Sequence, residues 1–170
     1  LINTNENMLA FANGQPIPHI INNIFVPTFG MVGGTGSTIS LLIAIFIFSR
    51  QKSAKQVARL SLAPGLFNIN EPVIFGLPIV FNLPLMIPFV LLPAIGIYFA
   101  WLCTTLGLMS RCVVMIPWTT PPILSAWLAT AGDWRAVVVQ LAIIVFGVFF
   151  YLPFLKIAER VALKNSGIEN

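Results

Sequence analysis

The sequence predicts an all-α membrane protein, in which transmembrane helices are combined with re-entrant or broken helical hairpins. Of its 170 residues, 58% are hydrophobic and only 8% are charged, and the mean hydropathy is +0.93. A soluble domain has about a quarter of its residues charged. Several uncharged stretches also exceed the ~20 residues that suffice to cross the hydrocarbon core, and prolines interrupt them. Most of the surface of this chain must therefore face a lipid bilayer.

The net charge of +4 arises from nine Lys and Arg residues against five Asp and Glu residues. The basic residues stand in short clusters beside apolar runs, as they do in the cytoplasmic loops of membrane proteins. They form no extended basic surface that could follow a phosphate backbone. We therefore expect no nucleic-acid partner.

The first 23 residues read as a polar, loop-like lead-in, "LINTNENMLAFANGQPIPHI" followed by "INN". No basic segment precedes an apolar one there, so no signal peptide is predicted. The chain begins at Leu1, and we expect it to be a piece of a longer protein. His19 has no carboxylate or cysteine partner at catalytic spacing and reads as a loop histidine.

The two cysteines, Cys103 and Cys112, match no metal or redox spacing and read as small packing residues. No metal site and no cofactor is predicted. The glycine-rich stretch 30–40, "GMVGGTGSTIS", lacks the lysine of a phosphate-binding loop. Its small residues favour close packing of helices in lipid instead.

Residues 24–49 contain no charge and predict the first transmembrane helix. Residues 50–59, "RQKSAKQVAR", carry four basic residues and no acid, which predicts a cytoplasmic loop. The uncharged stretch 72–110 is too long for one span, and four prolines cut it. We expect broken or re-entrant pieces there, followed by a span over residues 88–108.

Residues 112–134 are apolar but rich in proline and tryptophan, which predicts a re-entrant hairpin or an interfacial segment. Residues 136–155 form the cleanest transmembrane helix. Basic residues follow at 156–164, so the C-terminus, with residues 165–170 as a tail, is expected in the cytoplasm. An even number of crossings must then separate the two basic clusters. The total is about three full helices and two non-spanning elements.

Glu71 is the candidate catalytic residue because it is an acid inside the apolar stretch 68–78, "NINEPVIFGLP". An ionisable group at membrane depth costs roughly 2–3 kcal/mol and normally faces a functional cavity. Pro72 is expected to hold Glu71 outside helical geometry. With Asn68 and Asn70, Glu71 offers amide and carboxylate groups that suit sugar hydroxyls. The competing interpretation is a solvated glutamate in an interfacial loop.

Trp118 is the second candidate binding residue and stands in "PWTTPP", followed by the hydroxyl of Thr119. An indole face can pack on the apolar face of a pyranose ring. Tryptophans are equally common in the aromatic belt at the membrane interface, and the sequence leaves both interpretations of Trp118 open. Trp101, Trp127 and Trp134 fit the belt better.

Two segments together closely resemble a known family: residues 33–89, which contain the asparagine–glutamate–proline motif, and residues 116–136, "IPWTTPPILSAWLATAGDWRA". The chain resembles the membrane-embedded IIC component of the bacterial phosphoenolpyruvate-dependent sugar phosphotransferase system, in its lactose/cellobiose/diacetylchitobiose branch. The resemblance covers the C-terminal part of that family. It implies that residues 24–164 are a substrate-binding transport part in the bacterial cell membrane.

The resemblance also implies roles for individual residues. Glu71 would bond the hydroxyl of a β-linked disaccharide that is to be phosphorylated, and Trp118 would line the same site. Asn68, Asn70 and Thr119 are candidate binding residues there because of their own polar groups. The family histidine that partners the glutamate lies upstream, and His19 does not match it. The phosphoryl donor would be a phosphocysteine on a separate IIB protein, itself supplied by a IIA protein, and the complete permease would be a homodimer.

Two other functions stay open at this point. An ion-coupled secondary transporter would use Glu71 as a proton or sodium site between broken helices. The chain could also be a membrane subunit without a substrate site, in which Glu71 would have no functional role. The sequence does not distinguish among β-glucosides, lactose and N-acetylated disaccharides as substrates.

Overall fold

The computed structural model describes residues 1–165 and 167, and within them it contains helices and no strand, which confirms the all-α prediction. Most of the predicted C-terminal tail lies outside the described residues. The elements in chain order are α1 Ile2–Ala12, α2 Phe25–Gly30, α3 Thr38–Phe48, α4 Lys52–Leu66, α5 Glu71–Gly76, a 3-10 turn Ile79–Phe81, α6 Leu83–Thr105, α7 Leu124–Ala129 and α8 Trp134–Asn165.

In the part of the chain that the structure describes, two helices are long and apolar enough to cross a membrane, the 23-residue α6 and the 32-residue α8. The helix α8 contains the span predicted at residues 136–155. The helix α6 overlaps most of the span predicted at residues 88–108, but it begins five residues earlier and ends three residues earlier. Pro88 and Pro93 lie inside α6 and Pro153 inside α8, and none of them ends its helix. Prolines are tolerated in this way where neighbouring helices compensate for the missing hydrogen bonds.

The prediction of one continuous helix over residues 24–49 is wrong. The backbone leaves helical geometry between α2 and α3, where Gly33, Gly34, Gly36 and Ser37 all have positive φ angles, of 79°, 101°, 79° and 52°. Three glycines adopt such angles at little steric cost. The 11-residue α3 extends about 17 Å, too short for a hydrocarbon core of ~30 Å. The described residues therefore contain two helices of membrane-spanning length, instead of the expected three.

Residues 2–12 form the helix α1 and not the predicted loop, whereas residues 13–23 are indeed non-helical. A buried side chain, Asn7, anchors this helix by donating to the carbonyl oxygens of His19, at 2.8 Å, and Cys112, at 3.1 Å. The His19 ring also contacts the carboxylate of Glu6. These tertiary contacts stabilise a helix that its polar sequence did not suggest.

The expectation that Pro72 holds Glu71 outside helical geometry is wrong as well. Glu71 is the first residue of α5, with Pro72 in the first turn. Proline is well tolerated at that place because the N–H it lacks would have no helical partner. The irregular backbone lies three residues earlier, at Asn68, where φ is 61°. The basic segment 50–59, expected as a loop, mostly forms the first turns of α4.

Long-range hydrogen bonds hold the short elements onto α8. The buried Tyr151 hydroxyl donates to the Gly36 carbonyl at 2.7 Å, and the Ser40 hydroxyl donates to the Ile144 carbonyl at 3.1 Å. Cys103 and Cys112 are buried free thiols within the hydrophobic core that joins α2, α6, α7 and α8. This agrees with their predicted packing role. The long helices thereby form a scaffold for the loops at residues 31–37 and 106–123.

Candidate functional site

A cavity of about 690 Å³ opens between α2, the loop that follows α6, and one side of α8. Its volume is in the range of ligand pockets, roughly 300–1,000 Å³. Most of the lining is apolar, with a few polar side chains among it, as is typical of small-molecule sites. The lining residues are Asn23, Ile24, Val26, Pro27, Thr28, Met31, Val32, Asn68, Met115, Ile116, Pro117, Trp118, Thr120, Pro122, Ser125 and Gln140.

Trp118 is the large aromatic side chain at this cavity, and 64% of its surface is exposed. It stands in a turn in which the amide of Thr120 donates to the Pro117 carbonyl at 3.0 Å. Trp127, by contrast, does not line the cavity. Of the four tryptophans, Trp118 alone lines this cavity.

Asn68 lines the same cavity, and its side-chain amide is occupied by backbone groups. Its Oδ1 accepts from the Gly33 amide at 2.9 Å, and its Nδ2 donates to the carbonyl oxygens of Trp118, at 2.6 Å, and Thr120, at 3.0 Å. Both amide hydrogens are thus used, and only one lone pair of the oxygen is left. In this structure Asn68 joins three segments of the chain.

Asn70 is buried and does not line the cavity. Its Nδ2 donates to the Thr35 carbonyl at 2.6 Å, which holds the loop between α2 and α3 against the start of α5. Gly34 approaches the Asn70 side chain so closely that a Cβ on this glycine would lie 2.6 Å from the Asn70 Cγ. The amide of Asn70 thus points into a packed contact.

Glu71 is solvent-exposed at the start of α5 and has no side-chain hydrogen bond or ion pair with the described residues. It does not line the cavity, but it lies three residues from Asn68, which does. The Cα atoms of the two residues are at most about 11 Å apart along the chain. The carboxylate thus has no protein partner among the described residues and is free to accept hydrogen bonds.

Thr119, predicted to supply a hydroxyl, does not line the cavity either. The next residue, Thr120, does, and its Oγ donates to the Pro117 carbonyl at 2.6 Å. The structure therefore brings together Asn68 and Trp118 at the cavity wall and leaves Asn70, Glu71 and Thr119 outside the wall. Among the described residues, no group of three His, Cys, Asp or Glu side chains is arranged to hold a metal ion.

Gln140 is a cavity residue that the sequence interpretation missed. It is 1% exposed, and its Nε2 donates to the Thr28 carbonyl at 2.7 Å and to the Ser125 hydroxyl at 2.9 Å. Its Oε1 accepts from the Ile123 amide at 2.5 Å. The sequence did contain a signal for Gln140, because a lone amide inside the otherwise apolar segment 136–155 needs hydrogen-bond partners. Gln140 fixes one wall of the cavity to α8.

Comparison with known proteins relates the chain to membrane sugar permeases. Residues 1–93 match the family model described as "Phosphotransferase system, EIIC". The chain is 43% identical, over 84% of its length, to the PTS system cellobiose-specific EIIC component of Lactococcus lactis subsp. lactis, and 32% identical, over 95%, to the PTS system lactose-specific EIICB component of Staphylococcus aureus. It covers 31% and 28% of those two proteins.

A solved structure has the same fold. The crystal structure of the transporter ChbC, the IIC component from the N,N'-diacetylchitobiose-specific phosphotransferase system, superposes with a TM-score of 0.92 at 36% identity. The match covers 98% of this chain and 39% of that one. The chain therefore spans about a third of the length of the relatives it matches.

Proposed function

This chain belongs to the EIIC family of the phosphotransferase system, and we propose that it forms the sugar-binding part of a membrane permease for β-linked disaccharides. The observation that carries the proposal is the cavity of about 690 Å³ with the exposed ring of Trp118 in its wall. Relatives named for cellobiose, lactose and diacetylchitobiose support this substrate class.

In this proposal Trp118 packs on the apolar face of a sugar ring, which buries aromatic surface and leaves the indole N–H for a hydroxyl. Thr120 provides a polar group at the same wall, which Asn68 also lines. Asn70 and Thr119, assigned to the sugar site from the sequence, do not line this wall, and Asn70 holds the loop between α2 and α3 through the Thr35 carbonyl.

Glu71 is the proposed acceptor for the hydroxyl that becomes phosphorylated. A carboxylate without a protein partner can accept the hydroxyl hydrogen bond and take its proton in the reaction. The hydroxyl oxygen then forms a bond to phosphorus while the bond between phosphorus and the IIB cysteine sulfur breaks. Phosphoryl transfer depends mainly on such positioning. The donor is on the IIB protein, which a IIA protein recharges.

The charge distribution supports a proposed location for these partners. Residues 50–59 and 156–164 carry seven of the nine Lys and Arg residues, and we place both segments at the cytoplasmic face, where IIB docks. The C-terminus is then cytoplasmic, and residues 24–164 form the transport part of a multi-pass protein in the bacterial cell membrane. The complete permease is proposed to be a homodimer.

The test is Glu71→Gln, which preserves shape and removes the charge. Hydrogen bonds to charged groups contribute about 1.5–3 kcal/mol, so affinity for cellobiose, measured by calorimetry, should fall by about tenfold to a hundredfold. Formation of cellobiose phosphate with phosphorylated IIB should fall further. Glu6→Gln is the control, because Glu6 lies on α1 beside His19 and away from the cavity.

If the Glu71→Gln variant bound and phosphorylated cellobiose as the wild type does, Glu71 would be an acid at the membrane interface with no role in the sugar site. Sugar uptake into membrane vesicles distinguishes the phosphotransferase role from ion-coupled transport. Uptake that requires phosphorylated IIB supports the phosphotransferase role, whereas uptake that collapses with an uncoupler indicates an ion-coupled transporter with Glu71 as its ion site.

A further inference from the structure

The segment that carries Asn68 ends α4 in a specific turn. The amide of Ile69 donates to the Pro64 carbonyl at 3.0 Å, and the amide of Asn68 donates to the Gly65 carbonyl at 3.2 Å. With φ of 61° at Asn68, this is the Schellman arrangement, whose left-handed position is usually occupied by glycine. Asparagine is the common substitute there, and it adds what glycine lacks, an amide side chain.

That amide connects two loops that are remote in the sequence. It reaches the loop between α2 and α3 at Gly33, and it reaches the turn that carries Trp118 through two carbonyl oxygens, those of Trp118 and Thr120. The partners also fix the orientation of the amide, because one is a donor and two are acceptors. No other side chain among the described residues bonds to the carbonyl of Trp118.

We infer that Asn68 is a positioning residue that holds the Trp118 turn against the α2–α3 loop and so sets where the Trp118 ring stands in the cavity. It acts on the ligand through Trp118 and not by touching it. Both of its amide hydrogens are already used within the protein, and a sugar hydroxyl would have to displace a short bond to a carbonyl to gain one. This inference depends on the proposed sugar-binding function only for the identity of the ligand.

The decisive variant is Asn68→Gly. Glycine adopts the left-handed conformation at no steric cost, so the turn that ends α4 is retained while the amide is removed. Asn70→Ala is the matched control, since it removes an amide that holds only the α2–α3 loop, through Thr35. Amide hydrogen exchange, followed by mass spectrometry on the protein in detergent, measures how readily both loops open and requires no ligand.

Asn68→Gly should speed exchange in residues 31–37 and in 117–122 by on the order of tenfold, the effect of losing one or two net hydrogen bonds. Asn70→Ala should speed exchange only in residues 31–37. Exchange in α8 should be unchanged in both variants. Unchanged exchange in residues 117–122 of the Asn68→Gly variant would overturn the inference, whatever the protein transports.

Cellobiose binding supplies the second readout. Asn68→Gly should weaken affinity about tenfold in the wild-type background and by less than about twofold in a Trp118→Ala background, because the two residues act through one contact. Multiplicative losses in the double variant would mean that the amide touches the sugar directly, and the positioning role would be rejected. Faster loop exchange with normal sugar binding in both single variants would remove Trp118 from the sugar site while confirming the link between the loops.

Discussion

Gly96 of α6 lies against the backbone carbonyl of Phe29 in α2, so closely that a Cβ at position 96 would stand 2.6 Å from that oxygen. The same Cβ would be 3.3 Å from the Ile143 side chain of α8. Small residues permit such approaches between helices in membranes. This contact fixes α2, one wall of the cavity, to the two long helices.

Gly96→Ala is expected to destabilise the protein. Alanine favours a helix by roughly 0.5–1 kcal/mol over glycine, but overpacking against a backbone atom that cannot rotate away costs about 1–3 kcal/mol. The midpoint of thermal unfolding in detergent should therefore fall. Gly65→Ala is the control, because its Cβ would meet only the flexible Leu42 side chain, at 3.1 Å. If the unfolding midpoint of Gly96→Ala were equal to or higher than that of the wild type, α2 would have to adjust freely to the added methyl group.

Asp133 is a second residue whose role appears only in the fold. Its Oδ1 accepts from the Arg135 amide at 3.0 Å, which caps the start of α8, and its Oδ2 accepts from the Ser110 amide at 2.7 Å. Burial raises the pKa of this carboxyl group, but the hydrogen bonds from Arg135 and Ser110 outweigh burial and lower the pKa from 3.8 to about 2. The charged form is therefore stabilised in the folded protein.

This shift predicts a pH dependence of stability. Because the folded pKa is the lower one, the stabilisation is complete above about pH 4 and is lost as the pH falls towards 2. Asp133→Asn should cost roughly 2 kcal/mol at pH 7, and the difference from wild type should shrink as the pH falls from 4 to 2. Arg135→Gln should cost less than about 1 kcal/mol, since the Arg135 side chain is 48% exposed. A cost for Asp133→Asn that is constant with pH would contradict this account.

The sequence was sufficient to predict the helices that form because their residues are apolar enough to lie in lipid. The helices α6 and α8 follow from long uncharged stretches, whose hydrophobic content requires nothing else. The break between α2 and α3 was not predicted, because glycines also occur inside membrane helices. The helix α1 was missed because its anchor, the bond from Asn7 to the Cys112 carbonyl, joins residues 105 positions apart. Only the folded chain shows such a contact.

Of the five residues that the sequence assigned to the site, two line the cavity and three do not. Asn68 and Trp118 were chosen for polar and aromatic character, and both line the cavity. That the Asn68 amide is occupied depends on Gly33 and on the turn at Trp118, whose proximity no local pattern encodes. Glu71 was expected in a break before Pro72, yet its proline sits in a first helical turn, a position the sequence also allows.

Trp118→Ala should weaken cellobiose binding by roughly 1–3 kcal/mol, the range found when stacking aromatic side chains are removed. Trp127→Ala serves as the control, because Trp127 is similarly accessible, at 46%, but lies outside the cavity wall. Calorimetry on both variants measures the difference. Equal losses of affinity would favour an aromatic-belt role for both tryptophans over a sugar contact at Trp118.

The membrane orientation gives the last prediction, tested by single cysteines at Lys55, in α4, and at Lys164, in the last turn of α8. Two helices able to cross the membrane, α6 and α8, lie between these positions, so both positions should face the same side. The basic residues around them place that side in the cytoplasm. The native Cys103 and Cys112 are buried, and their replacement by alanine removes any background labelling.

An impermeant thiol reagent added to intact cells should therefore modify neither Lys55→Cys nor Lys164→Cys, and it should modify both after the cells are opened. Arg135→Cys is the matched control at the other end of α8. The 32 residues of this helix extend about 48 Å, well beyond a hydrocarbon core of ~30 Å, so its two ends must lie on opposite sides. Arg135→Cys should be modified in intact cells. Labelling of Lys55→Cys or Lys164→Cys from outside would invert the proposed topology and remove residues 50–59 as a docking surface for IIB.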